Sequence, residues 1–280
     1  MDRRRFLKTV TGVVIGAGLA PKAMAGIMIT ERLSSSEAED AYLKDYLYKM
    51  RHFNMHHADD IFLSPADFGT LKSALARMRR LQRTVGHGNF YLLSFDEALK
   101  IAANYRRVEP FTTEELAFLE KIFYADSTVY GFMGEKPFKH LTDHIRKDNV
   151  VRDRMTGNYL FKGKPVETYR HIKEHLGDEV TLTSGVRSVI KQFMLFLSKA
   201  YESEGNISMA SRSLAPPGYS FHGIGDFDVG QVGYGALNFT ERFTETTVFK
   251  RLVDMGYLRL RYQQDNMLGV RFEPWHIKVS

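Results

Sequence analysis

Three short stretches in the last third of the chain hold residue types that could activate a water molecule together. They are Ser184-Gly185-Val186-Arg187-Ser188, Ser220-Phe221-His222-Gly223-Ile224-Gly225-Asp226-Phe227-Asp228, and Glu273-Pro274-Trp275-His276. Between them they offer two imidazoles, a carboxylate ligand, a spare carboxylate and a guanidinium. That set is what a water-activating zinc centre needs to cleave a peptide bond beside a carboxylate. Cysteine is absent, which excludes disulfides, thiol catalysis and thiolate ligands together. Any transition-metal site must therefore be built from His, Asp and Glu.

Other histidines are weaker candidates. His171 with His175, and His140 with His144, each place two imidazoles on one helical face, a spacing that can bind metal. Neither pair carries the glutamate of an H-E-x-x-H zinc protease, so solvated helix faces are expected there. His52, His56 and His57 cluster near Asp59 and Asp60, but no ligand-spacing rule favours them.

The run Ser184-Gly185-x-Arg187-Ser188-x-x-x-Gln192, then Pro217-Gly218-x-Ser220-x-His222-x-x-Gly225, then Glu273-Pro274-Trp275-His276 resembles the zinc D-alanyl-D-alanine carboxypeptidases of the VanY type. Relatives of that family include D-Ala-D-Ala dipeptidases and L-alanyl-D-glutamate endopeptidases. The resemblance covers roughly residues 160–280. It implies one zinc ion per chain, held by His222, Asp228 and His276, with a fourth position left for water. It implies that Glu273 is the general base, taking a proton from the attacking water and passing it to the leaving amine. Arg187 would neutralise the developing oxyanion or clamp a substrate carboxylate, and Ser220 would stand at the cleft wall, able to hydrogen-bond substrate. Gln192 and Trp275 read as support and packing.

The interval between His222 and its aspartate is shorter than the family pattern. Asp226 and Asp228 both follow, and because they are two apart an extended backbone aims both toward one face. Asp228 is the preferred ligand and Asp226 the alternative. Glu273 and His276, three apart, would point to opposite faces of an ideal strand. Pro274 should break that regularity, so both are expected at a strand start or bend.

The elements that position these groups can be read in outline. Residues 33–145 look helical: an apolar stripe (Tyr42, Tyr46, Met50, Phe53), a helix capped by Ser64 with Pro65 in its first turn, and capping boxes at Ser94-Phe95-Asp96-Glu97 and Thr112-Thr113-Glu114-Glu115. Gly86-His87-Gly88-Asn89 reads as a loop. Beyond about residue 158 the pattern mixes helices (Pro165 to His175 closed by Gly177, Val189 to Tyr201, Phe243 to Met255) with short strands. Val180–Thr183 is one strand, and residues 257–262 and 270–279 are expected to pair across the Gln263-Gln264-Asp265-Asn266 turn. Helices flanking a small, mainly antiparallel sheet make an α+β fold. The expected division is a signal over residues 1–25, a helical accessory region over 26–157 and a zinc peptidase domain over 158–280.

The N-terminus reads as an address. Arg3-Arg4-Arg5-Phe6-Leu7-Lys8 has the form of a twin-arginine export signal, followed by a mild apolar stretch and a small-x-small cleavage site at Ala23-Met24-Ala25. Export through the twin-arginine machinery to the periplasm or beyond is the expectation, with no stable membrane span after cleavage. The full chain carries +6, but the signal holds five basic residues against Asp2, leaving about +2 on the mature protein. The basic isoelectric point is therefore no sign of nucleic-acid binding. Together these features indicate an exported zinc D,D-carboxypeptidase acting on peptidoglycan stem peptides. The alternatives are a peptidoglycan endopeptidase of the same family and a non-catalytic cell-wall-binding protein with a degenerate metal site.

Overall fold

The computed structural model describes residues 38–256 and 259–280. The segment expected to be an export signal, with its expected cleavage site, lies outside the described residues. Two compact units divide the chain, Met1–Leu47 and Tyr48–Ser280. In the first, the described residues are helical and belong to α1 (38–51).

Local chemistry accounts for the helices of the larger unit. Helix α2 (Pro65–Val85) starts where the Ser64 hydroxyl accepts from the Asp67 amide, with Pro65 in the first turn. Gly86, with φ of 84°, ends it and turns the chain into a one-turn helix, α3 (His87–Phe90), where a loop was expected. Full burial of Phe90 draws that turn inward. Helices α4 (Phe95–Asn104) and α5 (Thr113–Tyr124) both begin in complete capping boxes, Ser94 with Glu97 and Thr112 with Glu115. Glu115 also pairs with buried Arg77 at 2.7 Å, so one carboxylate caps a helix and neutralises a core cation.

A hairpin that sequence periodicity missed comes next: β1 (Val150–Arg152) against β2 (Tyr159–Phe161), antiparallel. Three-residue strands are too short to show an alternating pattern. Helix α6 (Lys164–Leu176) follows and is closed by Gly177 at φ 60°. Strand β3 (Val180–Ser184) leads to α7 (Val189–Glu202) and to a short α8 (Ile207–Ser213), also unforeseen. Strand β4 (Phe227–Gln231) is followed by α9 (Thr247–Asp254). That helix was expected from Phe243. Instead residues Glu241–Glu245 wind as a 3-10 turn, and the Thr246 hydroxyl caps the Phe249 amide, which fixes the α-helical start.

The expected C-terminal hairpin is also corrected. Among the described residues only β5 (His276–Ile277) is regular strand, with an isolated bridge from Leu260 to Ile277. Pro274 has no amide hydrogen to donate, and the chain turns so that the His276 amide bonds the Glu273 carbonyl at 3.2 Å. The result is an α+β architecture whose central antiparallel sheet has the order β3-β4-β5.

Two buried clusters support that sheet. One joins α2, α4 and α5 to α7 and α8, with Phe90, Phe123, Phe193 and Phe196 fully buried. The other packs α6 and α9 on the sheet through Ile172, Phe227, Val248 and Leu252. An irregularity between Leu182 and Ser184 shifts the β3 register so that Ser184 faces Asp228, and Asp228 in turn faces His276. One row across the sheet therefore carries a residue from each motif-bearing segment.

Candidate metal centre

Backbone register places two of the expected ligands, and a compact turn places the third. Residues Phe221–Gly223 form a single 3-10 turn, after which the amides of Ile224, Gly225 and Asp226 all converge on the Phe221 carbonyl. Gly225 closes this turn at φ 143°, a conformation that side-chain-bearing residues rarely adopt. The tight turn accommodates the short interval between His222 and Asp228. Gly185 is needed for a different reason. A Cβ there would stand 1.9 Å from the Tyr159 carbonyl oxygen of β2, whose partner is the Val186 amide at 2.7 Å. That close approach aims the Gly185 carbonyl at His222, whose Nδ1–H donates to it at 2.8 Å.

His222, Asp228 and His276 are buried and each offers a ligand atom, all lying within 4.8 Å of one another. His222 Nε2 and His276 Nδ1 each stand 3.2 Å from Asp228 Oδ1. Despite that approach, neither His222 Nε2 nor Asp228 Oδ1, both buried, makes a well-directed hydrogen bond. Unpartnered buried polar atoms are costly and uncommon, and here they face a common point. The far ring nitrogens are occupied: His222 Nδ1 by the Gly185 carbonyl, and His276 Nε2 by Asp226 Oδ2 at 3.0 Å. Such outer contacts fix ring orientation and leave the inner nitrogens free to bind a cation. The donor set fits zinc.

Electrostatics divide the two imidazoles: His222 is held neutral, whereas His276 must give up a proton before its inner nitrogen can take a cation. Burial holds His222 down to about 4, with Arg187 adding to the effect, so the ring is neutral. Burial opposes ionisation of Asp228, but His222, His276 and Arg187 outweigh it and keep the carboxylate charged well below its ordinary range. His276 is buried too, yet its hydrogen bond to Asp226 and the adjacent charge of Asp228 lift it to about 9. Burial pushes Glu273 up to about 7. Its Oε2 lies 3.5 Å from His276 Nδ1, at the edge of the ligand triangle.

Arg187 is committed on one edge. Its Nε donates to the Ser184 hydroxyl at 3.0 Å and one terminal nitrogen to Asp228 Oδ2 at 2.8 Å. It also lines a cavity of about 390 Å³ beside Asp228 and Glu273. Ser220 is buried at the head of the 3-10 turn and does not line that cavity. Gln192 bonds the Ala215 carbonyl, and Trp275 is both a core residue and part of the cavity wall. Asp226 reaches the centre only through His276. Its carboxylate also accepts from Arg261 and from the Val279 and Ser280 amides.

Residues 165–279 match the family model described as VanY, D-alanyl-D-alanine carboxypeptidase. No curated protein matches the chain. Among solved structures, a mutant of the vancomycin resistance D,D-pentapeptidase VanY from a VanB-type cassette, in complex with Zn(II), is similar at TM-score 0.40 and 20% identity. That likeness covers 54% of this chain and 88% of the other. VanYB in complex with D-alanine-D-alanine aligns at TM-score 0.41 and 21% identity, covering 54% and 86%. The LdcB LD-carboxypeptidase aligns at TM-score 0.37 and 22% identity, covering 52% and 66%.

The VanY-matched segment contains every residue of the triangle, together with Glu273 and Arg187. It does not include everything that shapes the cavity: Phe53 and Tyr91 come from the preceding half, and no motif announced them. Lys191 and Arg271 also line the cavity, each within a few residues of a motif yet outside its pattern. The remaining histidines stay apart from any such group. His175 Nδ1 bonds the His171 carbonyl at 2.8 Å, His140 pairs with Asp143, and His52 stacks on Tyr48. Among the described residues, His222, Asp228 and His276 form the single cluster able to hold an ion. No helix of the described residues is long and apolar enough to cross a membrane.

Proposed function

We propose that this protein is a zinc D,D-carboxypeptidase that removes the terminal D-alanine from peptidoglycan stem peptides. It would be exported through the twin-arginine pathway and work where that substrate lies. The observation carrying this reading is the buried triangle of His222, Asp228 and His276, with two unpartnered atoms aimed at its centre and Glu273 at its rim. Zinc held there would supply a Lewis acid that polarises the scissile carbonyl and acidifies water.

The side chains do the rest. Gly185 and Asp226 hold the outer nitrogens of the two imidazoles, leaving the inner ones toward Asp228, where they would hold the ion. Arg187 holds Asp228 in place and presents positive charge to the cavity, where a substrate carboxylate or a developing oxyanion would be stabilised. Glu273, raised toward neutrality by burial, has the basicity to accept a proton from the attacking water and return it to the departing amine. Removal of the terminal residue distinguishes this reading from an endopeptidase.

The purified mature protein should carry about one zinc per chain, by elemental analysis, as a four-coordinate His-Asp-His site requires. It should release free D-alanine from a peptide ending in D-Ala-D-Ala. Shorter internal fragments detected by mass spectrometry would indicate an endopeptidase instead. A metal-free protein that leaves the peptide intact would overturn the proposal.

A further inference from the structure

Among the described residues, several buried or half-buried arginines are neutralised by a carboxylate. Arg77 pairs with Glu115, Arg187 with Asp228, Arg212 with Asp60 and Arg261 with Asp226. Lys191 and Arg271 pair with no carboxylate among the described residues, and both line the cavity beside the candidate metal centre. Lys191 is only 8% exposed; its ammonium lies 5.0 Å from the centre of the Tyr91 ring. The Arg271 guanidinium lies 4.5 Å from the ring centre of Phe53 and 4.9 Å from that of Trp275, which fixes its plane. One terminal nitrogen donates to the Phe239 carbonyl at 3.0 Å, while its Nε is buried without a partner. Glu273 and Glu241 act on Arg271 only at longer range.

A desolvated cation lacking a counter-ion is unfavourable, and proteins ordinarily neutralise it. Burial lowers Lys191 to about 8, with Arg187 adding repulsion, the behaviour of an ammonium that an arriving anion would relieve. The wall has further positive charge in Arg187, paired with Asp228, and in Lys199, paired with Glu202 at 3.9 Å, and its only carboxylates are Asp228 and Glu273. Asp228 is already engaged by Arg187 and the histidines. The cavity thus has a surplus of cations beyond what one terminal carboxylate needs.

We infer that Lys191 and Arg271 form a specificity subsite for a second carboxylate on the peptide, carried by a side chain ahead of the terminal D-Ala-D-Ala. This rests on the carboxypeptidase reading for the placement of the peptide, but its readout is binding. The only tryptophan, Trp275, lies in the cavity wall and reports occupancy by fluorescence. Three peptides X-D-Ala-D-Ala would be titrated, with X being 2-aminoadipate, Nε-acetyl-lysine or lysine. The aminoadipate and lysine side chains are similar in length with opposite charge, and the longer acetyl-lysine side chain ends neutral.

The aminoadipate peptide should bind on the order of tenfold to a hundredfold more tightly than the acetyl-lysine peptide, with the lysine peptide weakest. The double variant Lys191→Met/Arg271→Met should erase that order. Equal affinities for the three peptides, absence of binding, or an order that survives in the variant would each overturn the inference. Hydrolysis followed in parallel separates the two ideas. Turnover without charge preference sinks the subsite and leaves the enzyme; charge-ordered binding without turnover does the reverse.

Discussion

At the residue scale, the two carboxylates near His276 occupy opposite sides of its ring and should fail differently when altered. Asp228 meets Nδ1 and Asp226 meets Nε2. The sequence leaves the two aspartates as alternatives because residues two apart share a strand face, and both do reach the same histidine. What separates them is which ring nitrogen each finds, and spacing alone carries no such information. Asp226→Asn should keep the ion but weaken its binding about 10–100-fold, the usual cost of losing an outer partner of a ligating histidine. Competition with a chromogenic chelator measures this, and unchanged affinity would remove Asp226 from the centre. Glu273→Ala should instead leave zinc content intact while turnover falls by about 10²–10⁴. A variant that kept its activity would show that Glu273 is not the base.

At the scale of elements, the motifs were legible because their chemistry restricts residue type, and the helices because caps announce themselves. Ser64, Ser94 and Thr112 each sit where a hydroxyl takes an orphan amide. The β1–β2 hairpin was not legible, since three-residue strands have no measurable period, and neither was the register shift at Leu182–Ser184, which depends on a neighbouring strand. Yet that hairpin supports the centre. The Tyr159 carbonyl receives the Val186 amide, and the Gly185 carbonyl between them orients His222. Gly185→Ala would force a methyl group into the Tyr159 backbone, which cannot yield as a flexible side chain would. Overpacking of this kind costs about 1–3 kcal/mol, and the rearrangement needed should also turn His222. The variant should therefore melt at a lower temperature and bind zinc more weakly than wild type. Full zinc affinity in a folded variant would show that the hairpin does not set the imidazole.

At the scale of the whole molecule, the helical half and the half that carries the candidate centre share a core. Helix α7 begins directly after the Arg187 motif, capped by Ser188, and contributes Phe193, Phe196 and Leu197 to the cluster that holds Leu71, Leu75 and Met78 of α2. Splitting the chain near residue 158 would bare that face, and a fully buried phenylalanine alone is worth about 3–5 kcal/mol against alanine. Residues Tyr48–Ser280 are expected to unfold as one cooperative unit for this reason. Because zinc would bind the folded triangle and not the open chain, it should add about 2.7 kcal/mol at a free concentration a hundredfold above its dissociation constant. Calorimetry should then show one transition that moves upward as a whole on adding zinc and returns on chelation. Two transitions, only one of them sensitive to the metal, would mean that the helices fold independently and that the shared core does not couple them to the centre.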